Sequence, residues 1–302
     1  MSSPGRKSGE SVESRGSFES SVSDASLELH ALERGGPRGF RAFLHGLGEP
    51  VVMVSRQLIG IFQVFALTLY YTFRAKKRWR EIISQSYQIG NRSVVFIAFV
   101  LGFLGMILIF QSGIQAQRII GDLQYMGAVF LQLLIREFAP TIGALMIATR
   151  VGTGIAAEIG SMVVTEQVDA LRMNAAQPIQ YLVVPRFIAC TFMTVILTIL
   201  AVVVAYLSGM MSASIYFNLN PNTFINFSMV DGWDILVGMS KAFAYGAAIP
   251  VVAGQAGLAA HGGSEGVGWA TTTSVVNCSL AVVVLDFLIS GIAYAVLPAP
   301  LR

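Results

Sequence analysis

The chain has 302 residues, of which 54% are hydrophobic and only 12% are charged, and its mean hydropathy is +0.66. Soluble domains carry about a quarter charged residues, so this composition excludes an ordinary soluble protein. The net charge of +3 is small and dispersed, which argues against nucleic-acid binding. The long apolar runs lack the period-two alternation of barrel strands and are long enough to cross a bilayer as helices. We therefore predict an all-α polytopic membrane protein.

Residues 1–42 are predicted to form a disordered cytoplasmic tail, because ten of the first thirty residues are serine and large apolar side chains are few. The rest of the chain, 43–302, is predicted to be one membrane domain. Its first part, about 43–73, is moderately apolar and is followed by the basic run 74–80. A helix lying in the membrane interface, with its cations at the headgroups, fits this pattern, and a sixth spanning helix is the alternative.

Five apolar segments follow that each satisfy the length of a membrane-spanning helix. They cover about 93–117, 125–158, 181–210, 233–258 and 273–297. The second segment is too long for one perpendicular crossing, so it must tilt, kink or project from the membrane. A polar segment at 160–180 separates it from the third.

The distribution of cations predicts the orientation. Basic residues between 76 and 92 precede the first span, and two crossings later Arg172 and Arg186 lie on that same side. The asparagine-rich loop at 211–232 falls on the opposite side and has no Lys or Arg. Because cytoplasmic loops are enriched in cations, the N-terminus and the 160–180 segment are predicted to be cytoplasmic.

The second span carries a ridge of small residues, spaced four apart along one helix face. Its members are Ala144, Ala148, Gly152, Ala156 and Gly160. Small residues at this spacing let helix backbones approach closely in lipid. The ridge is interpreted either as packing within one subunit or as packing at a subunit interface or moving gate. Upstream of it, Pro140 removes the hydrogen bond to the carbonyl of Arg136, which predicts a kink.

Four charged side chains lie well inside predicted spans: Arg136, Glu137, Lys241 and Asp286. A charge at the centre of a membrane helix costs about 2.5–3.5 kcal/mol on translocon scales, so such groups need partners or water. Two cations and two anions can neutralise one another in a structural network. The alternative is that they form the polar floor of a substrate cavity.

Past the ridge, five polar residues mark a short amphipathic helix between the second and third spans. They are Glu158, Thr165, Glu166, Asp169 and Arg172. A solvated face would explain these charges by itself. A short charged helix between two spans also suits a membrane subunit that docks on a soluble partner.

The sequence contains no recognisable enzymatic motif. The glycine-rich GGSEGVG at 262–268 lacks the Lys-Ser/Thr pair of a phosphate-binding loop, so any ATP that drives transport is expected to bind another chain. Cys190 and Cys278 lie within apolar runs without metal-ligand spacing and are interpreted as small packed side chains. We expect no catalytic site, metal or cofactor on this chain.

Two stretches resemble the MlaE, or YrbE-like, family of permeases, the membrane subunits of MCE-associated lipid ABC transporters. They read REFAPTIGALMIATRVGTGIAAEIGSMVVTEQVDAL at 136–171 and GVGWATTTSVVNCSLAVVVLDFLIS at 266–290. The resemblance covers about 45–298. It implies an interfacial helix plus five spans, two permease copies, two cytoplasmic ATPase subunits, and a periplasmic MCE-domain protein that exchanges phospholipid with the inner membrane.

The same resemblance implies roles for individual positions. The segment from Glu158 through Arg172 looks like the family's coupling helix, which sits on the ATPase. The four intramembrane charges look like positions that line or support the lipid cavity. The direction of transport, and the choice between a homodimer and a paralogous pair, stay open. An ion-coupled secondary transporter using Glu137 or Asp286 as proton carrier is the alternative function, and a membrane scaffold without transport is a third.

Overall fold

The computed structural model of the protein describes residues 40–74, 78–119, 123 and 125–296, with the backbone alone for 40–54. The predicted tail therefore falls almost entirely outside the described residues. The described chain is 90% helical and contains no β-strand, which confirms the predicted all-α class. The chain divides into two units after Ile59, and the helical bundle described below belongs to the second unit, Gly60–Arg302.

The α-helices of the described residues follow one another in chain order. They are α1 (Phe40–Arg74), α2 (Trp79–Ile119), α3 (Met126–Leu133), α4 (Ala139–Ile147), α5 (Thr153–Val164), α6 (Gln167–Met173), α7 (Val184–Phe217), α8 (Pro221–Phe224), α9 (Gly232–Leu258) and α10 (Ser264–Val296). Three short π-helical turns join some of them without a break, at Leu134–Phe138, Ala148–Gly152 and Ile179–Val183. Helix α1 covers the segment predicted to be helical at 43–73, and its interfacial position stays a prediction.

Among the described residues, five helical segments are long and apolar enough to span a membrane, as predicted. They are Trp79–Arg118, Met126–Val164, Ile179–Phe217, Gly232–Leu258 and Ser264–Val296. The first and last of these begin well before the predicted positions 93 and 273. Hydropathy marks only the part of a helix inside the hydrocarbon, whereas backbone hydrogen bonding carries the helix on into the headgroup layer.

The second span is irregular where the sequence predicts a kink. Its π turn at Leu134–Phe138 lies directly before Pro140, and the N–H of Ala139 donates to the carbonyl of Leu134, five residues back. Pro140 lacks the N–H that would donate to the carbonyl of Arg136, so the regular hydrogen-bond ladder is interrupted at this point as well. A second π turn at Ala148–Gly152 interrupts the same span.

Helices α2 and α7 pack closely along their lengths through small residues. A methyl group added at Gly105 would overlap the backbone oxygen of Ala205. The Ser208 hydroxyl donates to the carbonyl of Gly102 at 2.8 Å, an interhelical bond between the two spans. Small residues and hydroxyls at such contacts are how helices associate in lipid, where hydrophobic burial gives no drive.

The predicted ridge of small residues is buried within this chain. Ala144, Ala148 and Ala156 have no exposed surface. At Gly152 the backbone oxygen accepts a 3.1 Å hydrogen bond from Ser274 of α10, and a methyl group at Gly160 would lie 3.3 Å from the Cβ atom of Ala260. The ridge therefore packs against neighbouring spans of the same subunit.

Candidate functional site

The four intramembrane charges predicted from the sequence meet in one cluster. Lys241 on α9 has no exposed surface, and its Nζ atom contacts the carboxylate of Glu137 directly and lies 2.8 Å from Asp286 Oδ1. The two carboxylates belong to the second and fifth spans, and their side chains are 29% and 26% exposed. One lysine thus connects three spans through two ion pairs. We call Lys241, Glu137 and Asp286, together with Arg136 and Asp234, the charged cluster.

Asp286 is held by further donors besides the lysine. The Tyr245 hydroxyl donates to its Oδ1 atom at 2.7 Å, and the Thr141 hydroxyl donates to the same atom at 3.1 Å. Ser290, one turn after Asp286, donates weakly to Glu137 Oε1 at 3.4 Å. Hydrogen bonds of this kind satisfy the lone pairs of an ionised carboxylate and make a buried ion pair tolerable.

Arg136 forms the other half of the charged cluster. Its Nη1 atom lies 3.5 Å from Asp234 Oδ1, and Gln132 donates to Asp234 Oδ2 at 3.1 Å. Its Nε atom lies 3.9 Å from Glu137 Oε1, too far for a hydrogen bond. The guanidinium carbon sits 4.3 Å over the ring of Tyr294. Although Arg136 is only 9% exposed, its Nε and Nη2 atoms have no hydrogen-bond partner within the described residues.

Sequence reasoning missed the partners rather than the principal charges. Asp234 lies at the start of the fourth span, where it also accepts the N–H of Asp231 in a capping box, and it brings a third carboxylate against two cations. Tyr245 lies one helical turn after Lys241, a spacing that identifies it as a neighbour on the same face. Thr141 and Ser290 carried no signal, since hydroxyls are common in membrane helices.

A large apolar pocket of about 580 Å³ lies between α2 and the beginning of the second span. Its walls are mostly hydrocarbon, with a few amides and hydroxyls on the α2 side. They consist of Leu108, Gln111, Ser112, Gln115, Ala116, Tyr125, Met126, Val129, Phe130, Leu133 and Phe138. The π turn separates this pocket from the charged cluster: Leu133 and Phe138 line the pocket, whereas Arg136 and Glu137 do not. The assignment of the four charges to a substrate cavity therefore stays a prediction.

The segment between the second and third spans is organised differently from the single predicted helix. Glu158 lies on α5, where its carboxylate is 2.8 Å from the Nη2 atom of the buried Arg186. Thr165 and Glu166 form the turn after α5, and Glu166 adopts a left-handed backbone conformation with φ of 59°. That turn ends one helix and starts another, because a left-handed residue cannot continue a right-handed helix.

Helix α6 is thereby set off as a short separate element. Its Asp169 and Arg172 pair with each other at 3.0 Å and are 63% and 64% exposed. Val168 is 3% exposed and anchors the helix to the bundle, while Met173 is 83% exposed. The helix therefore presents charge and one apolar side chain outward, as a surface for a partner would.

Comparison with known proteins identifies the family to which this chain belongs. Residues 82–292 match the protein family described as Permease MlaE. The chain belongs to the MlaE permease family. A probable ABC transporter permease of Synechocystis is 35% identical to this chain over 243 residues, which cover 79% of this chain and 91% of the relative. A probable ABC transporter permease of Rickettsia bellii is 33% identical over 255 residues, covering 83% and 98%.

A plant protein is also similar to the permease. The chloroplastic protein TRIGALACTOSYLDIACYLGLYCEROL 1 of Arabidopsis thaliana is 31% identical over 220 residues, covering 72% of this chain and 63% of that protein. Together with the five spans, these relatives identify the chain as a multi-pass ABC transporter permease. Among its described residues no group of three or more His, Cys, Asp or Glu is placed to hold a metal ion.

Proposed function

We propose that the permease moves phospholipid between the inner membrane and a periplasmic MCE-domain carrier, driven by a separate ATPase. The observation that carries the proposal is the apolar pocket of about 580 Å³, which lies between two spans and is large enough for acyl chains. The name of the Arabidopsis relative contains that of a galactosylated diacylglycerol, which supports a lipid as the transported class.

The proposed assembly contains two copies of the permease, two cytoplasmic ATPase subunits and one MCE-domain protein. Helix α6 is proposed to be the coupling element, since it projects between two spans and exposes Asp169, Arg172 and Met173. The left-handed backbone of Glu166, just before the helix, and the buried side chain of Val168 fix the orientation of α6 relative to the bundle. A force applied to α6 would then reach the second span through the short connection at 165–166.

The charged cluster is proposed to hold three spans together beside the pocket. Lys241 cannot leave Glu137 and Asp286 without exposing an unpaired charge to a medium of low dielectric constant. Arg136 differs, because two of its buried nitrogens lack hydrogen-bond partners within the described residues. It therefore has donor capacity left for an acceptor such as a lipid headgroup that reaches the charged cluster from beyond the pocket.

Filling the apolar pocket tests the proposal. Replacing both Val129 and Leu133 with Trp occupies the space between α2 and α3, so ATP-dependent lipid transfer should fall at least about tenfold while the protein still folds. The matched control is Leu280→Trp on α10, an exposed leucine outside the pocket. Transfer is measured with labelled phospholipid in proteoliposomes containing the ATPase. Unchanged transfer in the double variant would contradict a lipid path through this pocket.

The alternative, an ion-coupled secondary transporter, has one observation in its favour. Glu137 and Asp286 lie inside spans and are only partly buried, with side chains that are 29% and 26% exposed, as proton carriers would be. The same proteoliposomes separate the two functions. Under our proposal transfer requires ATP and survives collapse of the proton gradient, whereas transfer that follows the gradient without ATP would establish the alternative.

A further inference from the structure

A second pocket, of about 250 Å³, lies between α2 and the end of the second span. Its polar lining includes Gln85, Gln88, Arg92, Ser93, Arg150 and Glu158. Because α2 and the second span run in opposite directions, the beginning of α2 and the end of α5 lie at the same end of the bundle, from which α6 follows. We call this site the arginine pocket. The apolar pocket involves residues 108–116 of α2. At 1.5 Å per residue, its first residue, Leu108, lies about 22 Å along the helix from Ser93, the last α2 residue of the arginine pocket.

The arginine pocket contains buried donors that the protein leaves unpaired. Ser93 is 2% exposed and lines the pocket, and its hydroxyl has no hydrogen-bond partner among the residues that the structure describes. The Nη1 atom of Arg150 is buried and also has no partner in that part of the chain. Buried polar groups without partners cost stability, and here two of them belong to residues that line one cavity, which points to a ligand for that cavity. The guanidinium of Arg150 can only donate and the Ser93 hydroxyl can donate as well, so an acceptor ligand fits both groups.

The charge of the arginine pocket points to an anion. Within the described chain no carboxylate lies within 4.0 Å of the guanidinium group of Arg92 or of Arg150. Glu158 is the carboxylate of the lining, and it is already paired with Arg186 at 2.8 Å. That pair is neutral, so the remaining two arginines leave the site with a local charge of +2. Two arginines with a hydroxyl beside them suit the oxygens of a phosphate group.

The position of the arginine pocket places it at headgroup depth. Arg92 and Ser93 come directly before the uncharged apolar run 94–110 of α2, where the hydrocarbon core begins. At Gly154 an added Cβ atom would meet nothing within 4 Å, so the wall of the pocket has open space there. Basic pockets between spans at this depth are suited to anionic lipid headgroups.

We propose that the arginine pocket binds the phosphate group of an anionic phospholipid in the leaflet at the α6 end of the bundle. This site is distinct from the apolar pocket. It also goes beyond the proposed transport, because its lipid stays bound near the beginning of α6 and is not the transported molecule. Arg92 and Arg150 bind the phosphate oxygens, and Ser93 donates the third hydrogen bond. Loss of this site would leave a lipid path through the apolar pocket intact.

Lipid retention by the full-length permease tests this proposal. The protein is purified from nanodiscs containing phosphatidylglycerol and phosphatidylcholine, and bound lipid is counted by native mass spectrometry. Arg150→Gln and Arg92→Gln should each reduce retained phosphatidylglycerol about fivefold, the effect of one interfacial cation, without changing phosphatidylcholine. The matched control is Arg80→Gln, which removes an exposed cation of α2 outside the pocket. Equal phosphatidylglycerol retention in all three variants would overturn the site.

Two further variants guard against misfolding. Arg150→Lys keeps the charge and should retain most of the phosphatidylglycerol, whereas Ser93→Ala removes only the hydroxyl and should lower retention at least about tenfold, the loss of one hydrogen bond to a charged group. If Ser93→Ala and both Gln variants lose phosphatidylcholine to the same extent as phosphatidylglycerol, the effect is general and the proposal fails.

Two additional arms distinguish the source of the phosphate and the class of ligand. Inorganic phosphate should neither displace the retained phosphatidylglycerol nor raise the melting temperature of delipidated permease. If it does both, the ligand is a soluble phosphate and the lipid assignment is overturned. The ATPase is also co-purified with each variant: loss of ATPase with unchanged lipid would show that the pocket binds an acidic segment of a protein instead.

Discussion

The charged cluster and helix α6 contain the same types of charged residue but differ in burial and in the sequence distance between partners. In the cluster, Lys241 is fully buried and joins carboxylates that are 104 and 45 residues distant in sequence, on two other spans. On α6, Arg172 pairs with Asp169 three residues away, and both are mostly exposed. An exposed local pair contributes little to stability, whereas removing one partner of a buried pair is costly. Charge inside the bundle therefore fixes the fold, and charge on α6 is free to serve a partner.

The largest expected effect is that of Lys241→Met. The change keeps the length of the side chain but leaves Asp286 without its cation and Glu137 with only the more distant Arg136, so the free energy of unfolding should fall by about 3–5 kcal/mol. It is measured by denaturant titration in detergent. Neutralising both carboxylates as well, with Glu137→Gln and Asp286→Asn, should recover much of this loss. A loss below about 1 kcal/mol in the single variant would break the comparison.

Tyr245→Phe should have the next largest effect. It removes the hydroxyl that donates to Asp286 at 2.7 Å without opening a cavity, and a hydrogen bond to a charged group contributes about 1.5–3 kcal/mol. The matched control is Tyr206→Phe, whose hydroxyl donates at 2.8 Å to the neutral carbonyl of Phe224, and about 1 kcal/mol is expected there. Both are measured as changes in the free energy of unfolding. Equal losses of unfolding free energy in the two variants would mean that the charge of Asp286 does not strengthen the hydrogen bond from Tyr245.

The smallest effect on stability should come from reversing charge at α6. Glu166→Lys combined with Asp169→Lys should change the free energy of unfolding by less than about 0.5 kcal/mol, because both positions are exposed. The same variant should lose the ATPase in co-purification if α6 is the coupling element. Glu265→Lys, on an exposed residue at the start of α10 and at the same end of the bundle, is the control and should retain it. Retained ATPase binding in the α6 double variant would refute the docking role.

The sequence was sufficient for those features that depend on one segment at a time. Hydropathy located five spans, and the high cost of charge in lipid singled out Arg136, Glu137, Lys241 and Asp286 before their proximity was known. Which of them pair, and that Asp234 and Tyr245 join them, depends on the rotation of one helix against another. That rotation is set by close contacts such as that of Gly238, where an added methyl group would overlap the carbonyl of Ile135.

Helix ends and pockets were the least predictable features. The segment from Glu158 to Arg172 has continuous helical patterning, yet the left-handed backbone at Glu166 divides it into the end of α5 and α6. A local conformation of this kind depends on how Val168 is seated against the bundle, which the sequence alone does not state. Both pockets are lined by residues of two different spans, so they follow from packing and not from composition.

The burial of Lys241 also imposes an order on biogenesis. The fourth span enters the membrane with an ammonium group whose insertion alone costs about 2.5–3.5 kcal/mol on translocon scales. Glu137, synthesised earlier, offers the first counterion, and Asp286 arrives only with the last span. We therefore expect the second span to stay beside the fourth during insertion, so that Glu137 can neutralise Lys241. A chain truncated after the fourth span would hold the lysine against Glu137 without Asp286 and should be less stable than the complete protein.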